Sequence, residues 1–215
     1  MNKINKLIAE FPPCSEVLGT DLTTPASRFK WFLASILFGA RISEKIASNT
    51  YREFEKAGVD SPEKILTAGW DELVRVLDEG GYLRYDESTA TNLLNIMPDL
   101  NERYGSLGDL YEESSDTEDL EKRPQDFKGI GPVTSQIFLR ELRGVWDVDP
   151  EPSKRGEEAA GYLGIDLLEF EGEMLSRVES ALVKLHLRYC KREKCSECPM
   201  REFCEKAEGA GGLGV

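Results

Sequence analysis

Apolar residues recur at helical spacing along nearly the whole chain, and no strict apolar–polar alternation lasts long enough to predict a strand. Lys3–Glu10 predicts a short helix, ended by Phe11-Pro12-Pro13. Thr24-Pro25 is a start signal: a capping hydroxyl, then a proline whose missing N–H costs nothing in the first turn. The helix it opens runs through Phe29, Phe32, Leu33, Ile36 and Leu37 to Gly39. Ser43 caps a helix over Glu44–Lys56 that stops at Gly58. Ser61-Pro62 begins a short helix, Trp70–Glu79 forms another, and Gly80-Gly81 ends it. Ser88–Tyr104 follows, ended by Gly105. An acidic stretch around Glu112–Leu120 leads into Pro124–Phe127, then a turn at Gly129–Gly131, then a helix over Pro132–Arg143 ended by Gly144. Val145–Gly156 is rich in proline and charge and reads as a linker. Gly172–Tyr189 is a final amphipathic helix with Met174, Val178, Leu182 and Leu185 on one face. The pattern predicts an all-α protein of many short helices and short loops.

With 215 residues the chain can build one large domain or two small ones sharing a seam. The longest apolar run, Trp31–Ala40, is about half of what a membrane crossing needs. The first residues, MNKINKLIAEFPP, hold no long apolar region and no small-residue cleavage site. Four of the five cysteines lie between Cys190 and Cys204. A secreted disulfide scaffold would spread them along the chain. Clustering in a chain without a signal predicts a metal site in a reducing, intracellular compartment, with Cys14 a plain, partly buried thiol.

Charge argues the other way from where the motifs point. Lys and Arg total 27 against 40 Asp and Glu, a net charge of −13. Neutralising phosphates releases counterions and supplies much of the affinity of nucleic-acid binders, so bulk charge alone disfavours that partner. The distribution is uneven, however. Asp60–Asp126 is densely acidic, Lys184–Lys194 is strongly basic, and Phe127–Gly144 leans basic through Lys128, Arg140 and Arg143. A local field can serve binding while the far side repels.

The cysteines read Cys190-x4-Cys195-x2-Cys198-x5-Cys204. Four soft thiolates in one short segment select zinc or iron–sulfur. Zinc ribbons present two well-separated C-x2-C knuckles. Here there is one C-x2-C with a single cysteine close on each side, a sequential wrap that suits a cubane better. Lys191, Arg192 and Lys194 inside it would form a cationic patch. Upstream, Lys128-Gly-Ile-Gly-Pro-Val-Thr134 joins two helical segments. Gly129 and Gly131 permit a tight reversal and let backbone N–H groups approach a phosphate, while Ile130 packs inward and Pro132 opens the next helix. Taken alone, the same residues make an ordinary helix–helix turn.

Together the two signals resemble the helix-hairpin-helix DNA glycosylase superfamily, the iron–sulfur branch typified by endonuclease III and the adenine glycosylases. Phe127-Lys-Gly-Ile-Gly-Pro-Val-Thr134 is similar to the family hairpin, and FLASILFGARI (Phe32–Ile42) to the helix that ends at the lesion-probing loop. GYLRYDESTATNLL (Gly81–Leu94) is similar to G-x-x-x-x-K-A-x-x-I, with Thr89-Ala90 where Lys-Ala is usual. His186-Leu-Arg-Tyr-Cys190 is similar to H-G-R-x-x-C, one residue shorter, and the first cysteine gap is shorter than the usual x6.

The resemblance implies a six-helix barrel domain over 25–143, its helix-hairpin-helix at about 117–143, and an iron–sulfur domain built from 1–24 and 144–215. It implies a 4Fe-4S cluster on Cys190, Cys195, Cys198 and Cys204, and a monomer on damaged or mispaired double-stranded DNA with the base flipped out. Arg41 falls where the family fills the vacated stack. Lys128, Gly129, Ile130, Gly131, Val133 and Thr134 fall on the phosphate-binding hairpin, and Lys191, Arg192 and Lys194 on a second DNA contact. Members that also cut the backbone use a hairpin-helix lysine as a Schiff-base nucleophile. Val133 stands there, so the implied activity is monofunctional base excision without lysine-type lyase activity. The family's aspartate, which stabilises the oxocarbenium-like sugar or activates water, matches Asp149 in Val148-Asp149. Counting back from Leu163-Gly164-Ile165 lands instead on Ser153, with Asp147 and Glu151 as flanking carboxylates. The alternative is a relative that binds distorted or abasic DNA without catalysis.

Overall fold

The computed structural model describes residues 2–206; the glycine-rich tail Gly209–Val215 lies outside them. The described residues form α-helices α1 (Lys3–Glu10), α2 (Cys14–Leu18), α3 (Pro25–Gly39), α4 (Glu44–Ala57), α5 (Pro62–Glu79), α6 (Asp86–Arg103), α7 (Leu107–Glu112), α8 (Thr117–Lys122), α9 (Pro132–Arg140), α10 (Lys154–Leu163) and α11 (Gly172–Arg188). The protein is all-α. Short 3-10 turns supplement the helices, and the β-type pairing is an isolated bridge between Arg143 and Trp146. Among the described residues no helix is long and apolar enough to cross a membrane.

Local chemistry sets the helix ends. The Thr24, Ser43 and Ser61 side chains each accept the N–H three residues on, and proline follows two of these caps directly. Gly58 closes α4 in the left-handed region at φ 70°. The two helices expected over 62–79 run together as α5, broken at Gly69, whose φ of 73° and ψ of 178° are not helical. The hairpin helix α9 stops at Arg140, three residues short of the expected end, and the chain turns through Glu141–Arg143 instead. Glu141 and Arg143 are both less than 5 % exposed and bond to polar partners, Cys14 and Ser15 N–H for Glu141 and Glu179 for Arg143. On α11 the buried stripe includes Leu175, Val178, Leu182 and Leu185, while Met174 is exposed, one position off the predicted face. Four helices were not anticipated: α2; α7 and α8 in the acidic stretch; and α10, whose start takes in the last residues of the expected linker.

The chain divides into two compact units: one of residues 18–139, the other of 1–17 together with 140–215. In the continuous unit, α4 lies against both α3 and α5, and α5 packs along α6. Trp31, Phe32, Leu33 and Leu37 of α3 are fully buried. Phe32 meets Phe138 edge to face with ring centroids 5.1 Å apart, and Trp31 Nε1 donates to the Phe138 carbonyl at 3.0 Å, so α3 and the hairpin helix share one core. In the discontinuous unit, α1 and α10 both pack on α11. Its core joins Leu7 and Phe11 to Ala159, Leu163, Val178, Leu182, Leu185 and Met200, with Cys190, Cys198, Phe203 and Cys204 packed against it.

Candidate functional site

The discontinuous unit carries the cysteines. Between Cys190 and Phe203 the chain makes three 3-10 turns of three residues each, at Cys190–Arg192, Cys195–Glu197 and Arg201–Phe203. The first ends at Glu193, a non-glycine residue in the left-handed region at φ 54°. Every turn is closed by backbone hydrogen bonds: Glu193 N–H to the Cys190 carbonyl, Cys198 to Cys195, Arg201 to Cys198 and Cys204 to Arg201. The result is a loop that wraps rather than crosses. Cys190, Cys195, Cys198 and Cys204 line one recess, completed by Tyr162, Tyr189, Arg201 and Lys206. Cys190, Cys195, Cys198 and Cys204 are not joined in disulfides. Among the described residues, no set of three or more His, Cys, Asp or Glu side chains is arranged to hold a single metal ion.

Burial in that recess opposes ionisation of the thiols. Burial, then the neighbouring Cys198, Cys204 and Cys195, push the Cys190 thiol up to about 11. Burial raises Cys198 as well. A cationic inorganic core reverses this bias, because it compensates the charge that makes each further thiolate costly. The donor set therefore fits a thiolate-ligated metal centre. Around it, the Lys206 ammonium sits 4.4 Å from the Tyr162 ring centre, and Glu158 accepts from the Tyr162 hydroxyl at 2.5 Å. His186 is buried, its Nε2 2.9 Å from Glu158. Lys191, Arg192 and Lys194 are exposed. Lys184, read as part of the same basic stretch, is buried on α11 and donates to the Pro12 carbonyl, so it is not part of a surface patch.

The continuous unit carries the glycine hairpin. Arg123–Asp126 is a 3-10 turn after α8, and Ile130 N–H donates to the Phe127 carbonyl at 3.1 Å to close the reversal. Ile130 is 5 % exposed and pins it. Gly129 has φ 92°, and a Cβ there would stand 2.2 Å from Asn92 Nδ2 of α6. Position 129 is thus glycine for two reasons, backbone conformation and close approach. Lys128 and Gly129 are exposed at the tip. Thr134 is buried beneath the hairpin, its Oγ1 2.1 Å from where a Cβ on Gly39 would lie. Its side chain therefore packs α9 onto α3 and does not line the hairpin surface.

The hairpin borders a recess of about 480 Å³. Gly129, Gly131, Pro132 and Val133 line one side; Ile36, Gly39, Ala40 and Arg41 line another; Tyr82, Tyr85, Ser88, Thr89 and Asn92 complete it. Arg41 and the hairpin, some ninety residues apart in sequence, thus share one concavity. Val133 is 46 % exposed at its edge. The walls from Tyr82 to Asn92 escaped residue-level reading, although the segment GYLRYDESTATNLL had been singled out. Burial pushes the Tyr82 hydroxyl up to about 12, against a weaker opposite pull from a hydrogen bond with Thr89.

The candidate carboxylate lies in the segment between the Arg143–Trp146 bridge and α10. Asp147, Asp149 and Glu151 are exposed, while Val148, Pro150 and Ser153 are buried. Asp149 does not cap the following helix. Ser153 does, accepting the Gly156 N–H. Asp149 Oδ1 instead accepts from Arg143 Nε at 3.2 Å. Sequence alone does not reveal this bond: Arg140 and Arg143 count toward the basic character of Phe127–Gly144, yet both are buried. Arg140 Nε donates to Ser180, and Glu141 accepts the N–H groups of Cys14 and Ser15. No protein-family model matches the chain, and no curated protein matches it either.

Proposed function

We propose that the chain is a base-excision DNA glycosylase of the helix-hairpin-helix, endonuclease III-like kind, with a 4Fe-4S cluster on Cys190, Cys195, Cys198 and Cys204. The observation that carries the reading is the recess shared by Arg41 and the hairpin Lys128–Thr134. A phosphate-gripping turn, a cation for the vacated stack and a cavity of base-accommodating size belong to one task, extruding a nucleotide and holding its backbone. That Cys190, Cys195, Cys198 and Cys204 line one recess supports the second half of the reading. Their sequential spacing, one C-x2-C with a single cysteine on each side, suits a cubane better than the two separated knuckles of a zinc ribbon. When bound, the cluster supplies structural rigidity to a segment that has only three-residue turns of its own.

In this reading the exposed Lys128 and the α9 N–H groups hold phosphate, and Arg41 fills the gap left by the extruded base. Asp149 stabilises positive charge developing on the sugar as the N-glycosidic bond breaks, or orients the attacking water. Val133 cannot act as a nucleophile, so the base leaves by hydrolysis and no covalent enzyme–sugar adduct forms. The second reading, a binder of distorted or abasic DNA without catalysis, is favoured by the net charge of −13 and by Val133 standing where a lysine nucleophile would be.

One screen tests both. Duplexes carrying uracil, oxidised, alkylated or mispaired bases are incubated with iron-replete protein and developed with alkali. Excision of at least one lesion is expected. Tight, salt-sensitive binding with no excision from any duplex would select the second reading. Zinc in place of about four irons would remove the cluster from both.

A further inference from the structure

Arg143 lies three residues past the end of α9 and is 1 % exposed. Its guanidinium is engaged on every side: Nη1 donates to Glu179 Oε2 at 2.5 Å, Nε to Asp149 Oδ1 at 3.2 Å, and Nη2 to the Pro150 carbonyl. Glu179, fully buried on α11, uses its other oxygen to accept the Ser153 N–H at 2.9 Å. Gly156 leaves room for it, since a Cβ at that position would stand 3.0 Å from Glu179 Cγ. A single buried ion pair thus grips the segment 149–153 at a carboxylate, a carbonyl and an N–H. Burying a charge pair is costly unless each donor and acceptor is met. Here the remaining valences are met by an irregular segment with no helix of its own, so the pair dictates that segment's path.

The asymmetry across the Arg143–Asp149 bond is informative. The arginine side chain is 0 % exposed and the aspartate side chain 80 %. An exposed aspartate ordinarily exchanges rotamers. One bonded to a donor that is itself immobilised from several sides is held in a fixed orientation. That is how supporting residues preorganise a reactive group. We propose that Arg143 is the positioning residue for Asp149, with Glu179 holding Arg143 in place; this rests on the glycosylase reading. Lysine cannot replace it, because one ammonium cannot span three acceptors with the planar fork of a guanidinium.

The test compares wild type, R143K, D149N and R143K/D149N in single-turnover excision of the lesion found by the screen, alongside duplex affinity and iron content. R143K is expected to slow bond cleavage about a hundredfold, as misplacement by an ångström does, with affinity and iron unchanged. In the D149N background it is expected to add nothing. Wild-type cleavage by R143K, or losses that multiply in the double variant, would overturn the proposal. Should R143K lose its fold, E179Q carries the same comparison. Amide exchange at Ser153 separates the two levels of inference. Protection in wild type and its loss in E179Q supports the clamp, and equal exchange in both overturns it whatever the activity. A wild-type protein that excises nothing defeats the glycosylase reading, and with it the catalytic purpose assigned to Arg143, even where exchange shows the clamp intact.

Discussion

At the scale of single residues, Asp149 and Val133 divide the proposed chemistry. Asp149→Asn keeps the shape and the capacity to accept from Arg143 but removes the charge, so excision is expected to fall roughly a hundredfold or more, with duplex affinity little changed. Borohydride added to protein on an abasic duplex is expected to trap no adduct; a robust adduct would show an amine nucleophile at work. Tyr82 makes a separate prediction about stability. Its folded-state value is raised to about 12 from an unfolded 10.0, chiefly by burial. Between these values the unfolded chain has released the phenolic proton while the folded one retains it. The stabilisation is therefore complete below about 10 and is lost as pH rises toward about 12. Urea midpoints at about pH 8 and about pH 11.5 should fall more for wild type than for Tyr82→Phe. Sequence exposed Ile130 and the cysteines as special because their types and spacing are rare in combination. It hid Arg140, Arg143 and Lys184, since a formal charge says nothing of burial and their partners lie far along the chain or on backbone atoms.

Among elements, the hairpin and the cysteine loop depend on different forces. The hairpin is maintained by close packing, and Gly129→Ala meets both a φ of 92° and the Asn92 side chain. A loss of about 1–3 kcal/mol in urea stability is expected, together with weaker duplex binding. The cysteine loop packs on its unit's core through Met200 and Phe203, but its own regular structure is only three-residue turns. Cys198→Ser is expected to abolish the brown absorbance, strip the iron and open residues 190–204 to protease, while chelation of wild type should reproduce the same cleavage pattern. Helices such as α3 and α4 could be read in the sequence because they carry a cap, a long apolar stripe and a glycine stop. Two others, α7 and α8, span six residues each, too few for periodicity to show. The start of α10 was masked by composition: proline and charge suggested a linker, yet Ser153 within it is a working cap.

For the whole molecule, a charge of −13 must coexist with any affinity for DNA. Arg41, Lys128, Lys191, Arg192 and Lys194 are exposed, whereas three of the basic residues that seemed to enrich those segments are buried. Few phosphates can then be neutralised. Duplex binding should weaken with salt along a log–log slope of only about −2 to −4, and Lys128→Ala should make it shallower by about one unit. A slope near zero would argue against nucleic acid altogether. The division of the chain also bears on biosynthesis. Residues 18–139 form a continuous unit that can acquire its structure as soon as it has left the ribosome. Helix α1, which precedes that unit in the chain, must wait for α10, α11 and the thiol-bearing turns to be synthesised before it has a surface to join. Metal insertion would then be among the last events of maturation, and an interrupted translation product would leave Leu7 and Phe11 uncovered as a handle for chaperones and proteases.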